Sequence, residues 1–209
     1  MKHNRACDNG RASLQWMTGT AMMIAITLVL GSTPLGLIRT PILTATTLHI
    51  PVIIATLVLG LKAGLFTGFV FGIQSFISNF ASTSFFGPFF INPLVSVLPR
   101  VLFPVCVYVV ACCINRFVKC RTAVYVAASA LGTAAHTAMV MGMIYLLNGE
   151  KIGSMIVAQA GVPEAIASRG VGMGILTMAV ANGVPEMIVA ALIAPIVTLA
   201  LDKAFGRMR

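Results

Sequence analysis

Acidic residues are scarce in this 209-residue chain. It carries five Asp and Glu against 14 Lys and Arg, and only 9% of its residues are charged. A soluble domain carries roughly 25% charged residues, so the shortage excludes an ordinary water-facing surface and points to an integral membrane protein. Carboxylates are nearly missing from the apolar runs, which leaves no paired acid and base for an intramembrane enzyme. The chain lacks H-E-x-x-H, G-x-x-x-x-G-K-[ST] and G-x-S-x-G, the patterns that bind catalytic zinc, cradle nucleotide phosphates and present a serine nucleophile. Its five cysteines, Cys7, Cys106, Cys112, Cys113 and Cys120, show neither metal-ligand spacing nor a disulfide framework. They read as small buried apolar residues or free thiols. No cofactor and no metal ion is expected. The formal charge of +9 does not indicate nucleic acid, because the basic residues are not clustered with aromatics but sit between apolar runs.

What the chain has is hydrocarbon: 58% of it is hydrophobic. Six apolar segments stand out, at Trp16–Leu37, His49–Leu61, Ala63–Phe80, Val95–Phe117, Thr122–Leu147 and Asn182–Phe205. A spanning helix needs about 20 apolar residues, so the expected fold is an all-α membrane protein of six transmembrane helices in a single domain, 1–209, lying in the lipid bilayer of the cell membrane. The second segment is short. The first is too long for a signal-peptide core and lacks a small-residue cleavage site, so it is read as a retained span after a cytoplasmic segment, 1–15. With the N-terminus inside, ten basic residues fall inside and four, Arg39, Arg100, Lys151 and Arg169, fall outside. This positive-inside bias predicts that both termini are cytoplasmic. Three longer connections then lie outside: a threonine-rich Ile38–Leu48, an Ala81–Leu94 stretch, and a long extracellular loop over 148–181 that could hold a short helix. No internal repeat supports an inverted-repeat transporter.

Polar side chains are costly in a bilayer and usually face a protein interior or a cavity. Several gather near the outer ends of the spans. Gln74, Ser75, Ser78 and Asn79 lie on the outer half of the third span, and Asn92 follows in a loop. Arg100 stands after Pro99 at the start of the fourth span, and His136 sits inside the fifth. Asn182 and Glu186, four apart, open the sixth, and His49 opens the second beside Thr46 and Thr47. Each has a bland reading as a cap, an anchor or a packing residue, and Arg100 and Glu186 could pair with one another. Their shared depth favours a common role. Ala21 and Ala25 share one face of the first span, where small residues let another helix approach closely.

The segments TTLHIPVIIATLVLGLKAGLFTGFVFG, SFFGPFF, LPRVLF and ANGVPEMIVAALIAPIV resemble the substrate-binding S component of energy-coupling factor (ECF) transporters. The resemblance covers nearly all six spans. It implies capture of a water-soluble vitamin from outside, pairing with a transmembrane T component and two cytosolic ATPase subunits, and toppling in the membrane to release cargo. Ala21 and Ala25 match the family's A-x-x-x-A motif, which implies docking to the T component. The branch it looks most like includes pantothenate and cobalamin carriers, although His136 stands where that branch is expected to carry an asparagine-like residue. On this reading the substrate-binding residues are His49, Gln74, Asn79, Asn92, Arg100, His136, Asn182 and Glu186. Arg100 grips an anionic group such as the carboxylate of pantothenate, and Asn79, Asn92, Asn182 and Glu186 take hydroxyl and amide groups. Pantothenate is favoured, with cobalamin and folate as alternatives. A stand-alone secondary transporter or channel and an intramembrane enzyme are the rival classes.

Overall fold

In lipid every backbone N–H and C=O must find its partner within the protein, and the apolar runs of this chain meet that demand as helices. The computed structural model describes residues 2–33, 36–39, 44–80, 87–160 and 164–204. In chain order its elements are α1 (Lys2–Ser32), β1 (Leu37–Arg39), β2 (Thr44–Thr46), α2 (His49–Leu59), α3 (Leu61–Phe80), α4 (Gly87–Phe90), α5 (Pro93–Phe117), α6 (Arg121–Ala160) and α7 (Glu164–Ala204). Among the described residues, five stretches are long and apolar enough to cross a membrane: Ser13–Ser32, Leu61–Phe80, Pro93–Phe117, Arg121–Gly149 and Ala179–Ala204.

The remaining expected span is α2, and it has only 11 residues. At 1.5 Å per residue it covers ~16 Å, about half of a bilayer's ~30 Å hydrocarbon core. It is the centre of the bundle. Val52, Ile53 and Ala55 are fully buried, and Met23, Phe71, Phe103, Val107, Ala190 and Ala194 belong to the same core cluster. Gly60 ends α2 at φ +97°, in a region that favours glycine, and the chain turns there into α3. Elsewhere α6 packs between α5 and α7, α3 lies against α1, α2 and α5, and α7 also touches α2.

Two connections depart from the sequence expectation. The threonine-rich segment before α2 contains an antiparallel pair of short strands, with Leu37 opposite Thr46, Ile38 opposite Ala45 and Arg39 opposite Thr44. The helical class therefore carries a small hairpin. The stretch 148–181, expected as a loop, is helical on both sides of 161–163, which lie outside the described residues. At Asn148 the backbone leaves helical geometry (φ −134°, ψ 15°), and the helix then resumes. Falling hydropathy marks where the apolar span ends, not where the backbone stops being helical.

Candidate functional site: a buried polar cluster beneath the hairpin

The site begins with two prolines in α5. Pro99 has no N–H, so it cannot supply the helical hydrogen bond to the carbonyl of Val95. Arg100, the next residue, fills that gap: its Nη1 donates to the Val95 oxygen at 2.9 Å. Pro104 likewise cannot supply the helical hydrogen bond to the Arg100 carbonyl. That carbonyl lies against Gly68 of α3, where a Cβ would overlap it. Glycine at 68 thus lets α3 and α5 close together around Arg100. The guanidinium is held between two rings, with its carbon 5.5 Å from the Phe71 centroid and 5.0 Å from that of Phe90 in α4. Both distances are in the cation–π range. Only 5% of Arg100 is exposed, and its Nε has no partner among the described residues.

His136 enters from α6. Its ring lies 5.1 Å from Phe103, 5.9 Å from Phe71 and 6.4 Å from the ring of His49, measured between centroids, and the two imidazoles are 19° from parallel. His49 is the first residue of α2 and fully buried. Both nitrogens of both histidines are buried and find no hydrogen-bond partner among the described residues. A neutral imidazole has one donor and one acceptor to satisfy, and leaving such groups buried and unpaired is costly. Together with Arg100 Nε they make five unpartnered polar atoms on three residues, with Phe71 against both Arg100 and His136 and the His136 ring against that of His49.

Glu186 reaches the same region from α7. Its Oε1 accepts the Thr46 N–H at 2.6 Å and the Thr46 hydroxyl at 3.1 Å. The carboxylate therefore ties the hairpin to α7 directly above His49. No ion pair joins Glu186 to Arg100 among the described residues, so the mutual pairing open to them in the sequence is not what holds either. Asn182, one turn before Glu186, is half-buried with its Oδ1 unpartnered, and the Thr137 hydroxyl on α6 is unpartnered as well. Gly183 seats α7 against Thr137, at a distance a Cβ could barely occupy.

The structure thus brings His49, Arg100, His136 and Glu186 to one buried region, with Asn182 at its edge. It engages the other three candidates locally. Gln74 lies against Gly31 and donates to Ser32 Oγ of α1 at 3.3 Å, so it joins α3 to α1. Asn79 donates to the carbonyl of Ser75 within its own helix at 2.7 Å. Asn92 caps α5, accepting the Leu94 N–H at 3.0 Å, as residues of its type do at helix starts. Phe71, Phe90, Phe103 and Thr46 complete the site and were not singled out by the sequence. Aromatic residues in apolar runs give no signal of their own. The adjacency of proline and arginine at 99–100 does give one, since it supplies a freed carbonyl and a donor to meet it. On α1, Ala21 and Ala25 are both exposed on the outside of the bundle.

The chain matches the family model "ECF transporter, substrate-specific component" over residues 15–198. The protein belongs to that family. No curated protein matches it. Membership makes this chain a substrate-binding subunit of an ECF transporter and a multi-pass membrane protein. It also carries the family's implication of a small-molecule substrate, a T component and ATPases. Among the described residues, five of the buried polar atoms without a hydrogen-bond partner belong to His49, His136 and Arg100 of this cluster.

Proposed function

We propose that this S component captures a water-soluble vitamin bearing a carboxylate, pantothenate first, and delivers it through a transmembrane T component and two cytosolic ATPases. The vitamin sits among Arg100, His49, His136 and Glu186, with Asn182 at the rim. Both termini are cytoplasmic and the hairpin faces outside the cell membrane. The observation that carries this reading is the set of five unpartnered polar atoms on His49, His136 and Arg100. Buried polar groups are nearly always hydrogen-bonded, and a ligand with a carboxylate and hydroxyl or amide groups would satisfy these. Arg100 supplies the charge and the planar fork that a carboxylate fits. The Phe71–Arg100–Phe90 sandwich fixes the guanidinium plane before the ligand arrives, which lowers the ordering cost of binding. Cobalamin and folate remain the alternatives.

The test is a thermal-shift screen of the purified protein against vitamins with and without a carboxylate. A ligand at 100 times its Kd adds roughly 2.7 kcal/mol to stability, enough to read as a clear rise in melting temperature. Pantothenate or another carboxylate vitamin is expected to stabilise the protein. Stabilisation by non-carboxylate vitamins alone would overturn the role given to Arg100.

A further inference from the structure

At the end of the bundle opposite the hairpin, the start of α6 is fastened to the end of α7. Tyr125 donates its hydroxyl hydrogen to Asp202 Oδ2, and Arg121 Nη1 stands 3.7 Å from the same oxygen. Asp202 is buried, with 3% of its side chain exposed, whereas 49% of the Arg121 side chain is open. This fastening places the α5–α6 turn beside the end of α7. Arg116 stands in the last turn of α5, Lys119 lies in the connection to α6 and Lys203 follows Asp202, and all three are exposed. Four cations thus surround one acid that is itself buried. No acidic side chain described at this end is exposed. The patch also has an apolar side: Phe117, between Arg116 and the turn, is 88% exposed, and Val118 beside it is open too.

We infer that this patch is a docking surface for the headgroup of an anionic phospholipid. The chemistry fits both parts of such a molecule. Arg121 offers a guanidinium held in place by Asp202 and Tyr125, suited to a phosphate diester, while Arg116, Lys119 and Lys203 add charge around it. Phe117 ends α5, a helix long and apolar enough to cross the hydrocarbon, and Val118 follows it in the turn, so the two give the cations an apolar edge. An acidic soluble partner would match the cations but would leave that apolar edge unused. Asp202 serves as a positioning residue: it holds Arg121 against α7 and brings the α7 cation into the patch. The inference is independent of the vitamin site and of which leaflet this end occupies.

The test uses the full chain in nanodiscs of equimolar phosphatidylglycerol and phosphatidylcholine with the same acyl chains. Native mass spectrometry reads which lipids stay bound. Phosphatidylglycerol is expected to be retained several-fold over phosphatidylcholine. Lys119→Gln combined with Lys203→Gln keeps the Arg121–Asp202 contact and should bring the several-fold preference down to near one, since each cation near a membrane surface is worth about fivefold. Equal retention of the two lipids by the unaltered chain would overturn the inference. So would a double variant that keeps the lipid preference but loses co-purification of the T component, an outcome that would assign the patch to a protein partner. Should the variant fail to fold, salt provides the second arm. The preference of the unaltered chain must fall as ionic strength rises and screening sets in, and a salt-independent preference would overturn the inference as well.

Discussion

Replacing Arg100 with glutamine separates a ligand-binding arginine from a scaffold arginine. In the ligand-free protein the change removes one hydrogen bond to the Val95 carbonyl, worth roughly 1 kcal/mol net. It also removes two cation–π contacts, at about 0.5–2 kcal/mol each. Against these losses stands the relief of a buried charge with no ion-pair partner among the described residues, and the effective penalty of burying such a charge is itself several kcal/mol. The two sides are of similar size, so the ligand-free protein is expected to melt nearly as before. Ligand affinity has no such offset. The vitamin carboxylate loses a charge-assisted hydrogen bond, at least ~1.5 kcal/mol, which is a factor of about 12 in Kd. Arg100→Lys should also weaken binding, because an ammonium cannot reproduce the planar fork. Titration calorimetry with the identified vitamin, run beside ligand-free melting curves, reads both quantities. Unchanged affinity with a large drop in melting temperature would show that Arg100 belongs to the scaffold.

Three further outcomes are expected. Ala21→Leu or Ala25→Leu adds bulk to an exposed small-residue face of α1; vitamin binding by the solitary protein should survive while uptake and co-purification of the T component are lost, and survival of both would move the docking surface elsewhere. Glu186→Ala removes two hydrogen bonds from Thr46, together about 1–3 kcal/mol, so amide hydrogen exchange over residues 44–47 should speed up by about fivefold or more; unchanged protection would mean that α7 does not hold the hairpin. In a cysteine-free background, single cysteines at positions 5 and 207 should resist an impermeant reagent in intact cells while one at 155 reacts, and the reverse pattern would invert the topology.

Much of the frame is legible in the sequence because lipid leaves the backbone few choices. The long helices follow from their apolar runs, and α5 keeps its span despite Pro99 and Pro104, with Arg100 Nη1 meeting the Val95 carbonyl that Pro99 frees. The shortness of α2 is legible, but its place in the bundle is harder to read. Its 11 residues are as apolar as a full span, and only the surrounding helices reveal that they are buried by protein on all sides. The helices beyond Asn148 escape a hydropathy reading because they are more polar than the spans they continue. The site divides along a similar line. His49, Arg100, His136 and Glu186 are conspicuous as polar groups in apolar runs. Gln74, Asn79 and Asn92 look equally conspicuous, yet Ser32, Ser75 and the Leu94 amide satisfy them. Whether a buried polar group is met by a neighbour or left waiting is a property of packing, and residue type does not encode it.

Equilibrium binding of labelled pantothenate to the solitary purified protein, without T component or ATPases, tests the central claim most directly. The account predicts saturable binding with one site per chain, weakened about tenfold or more by Arg100→Gln and retained in the Ala21→Leu and Ala25→Leu variants. Absence of binding by pantothenate and by every other carboxylate vitamin, in a protein shown to be folded by its melting transition, would contradict it.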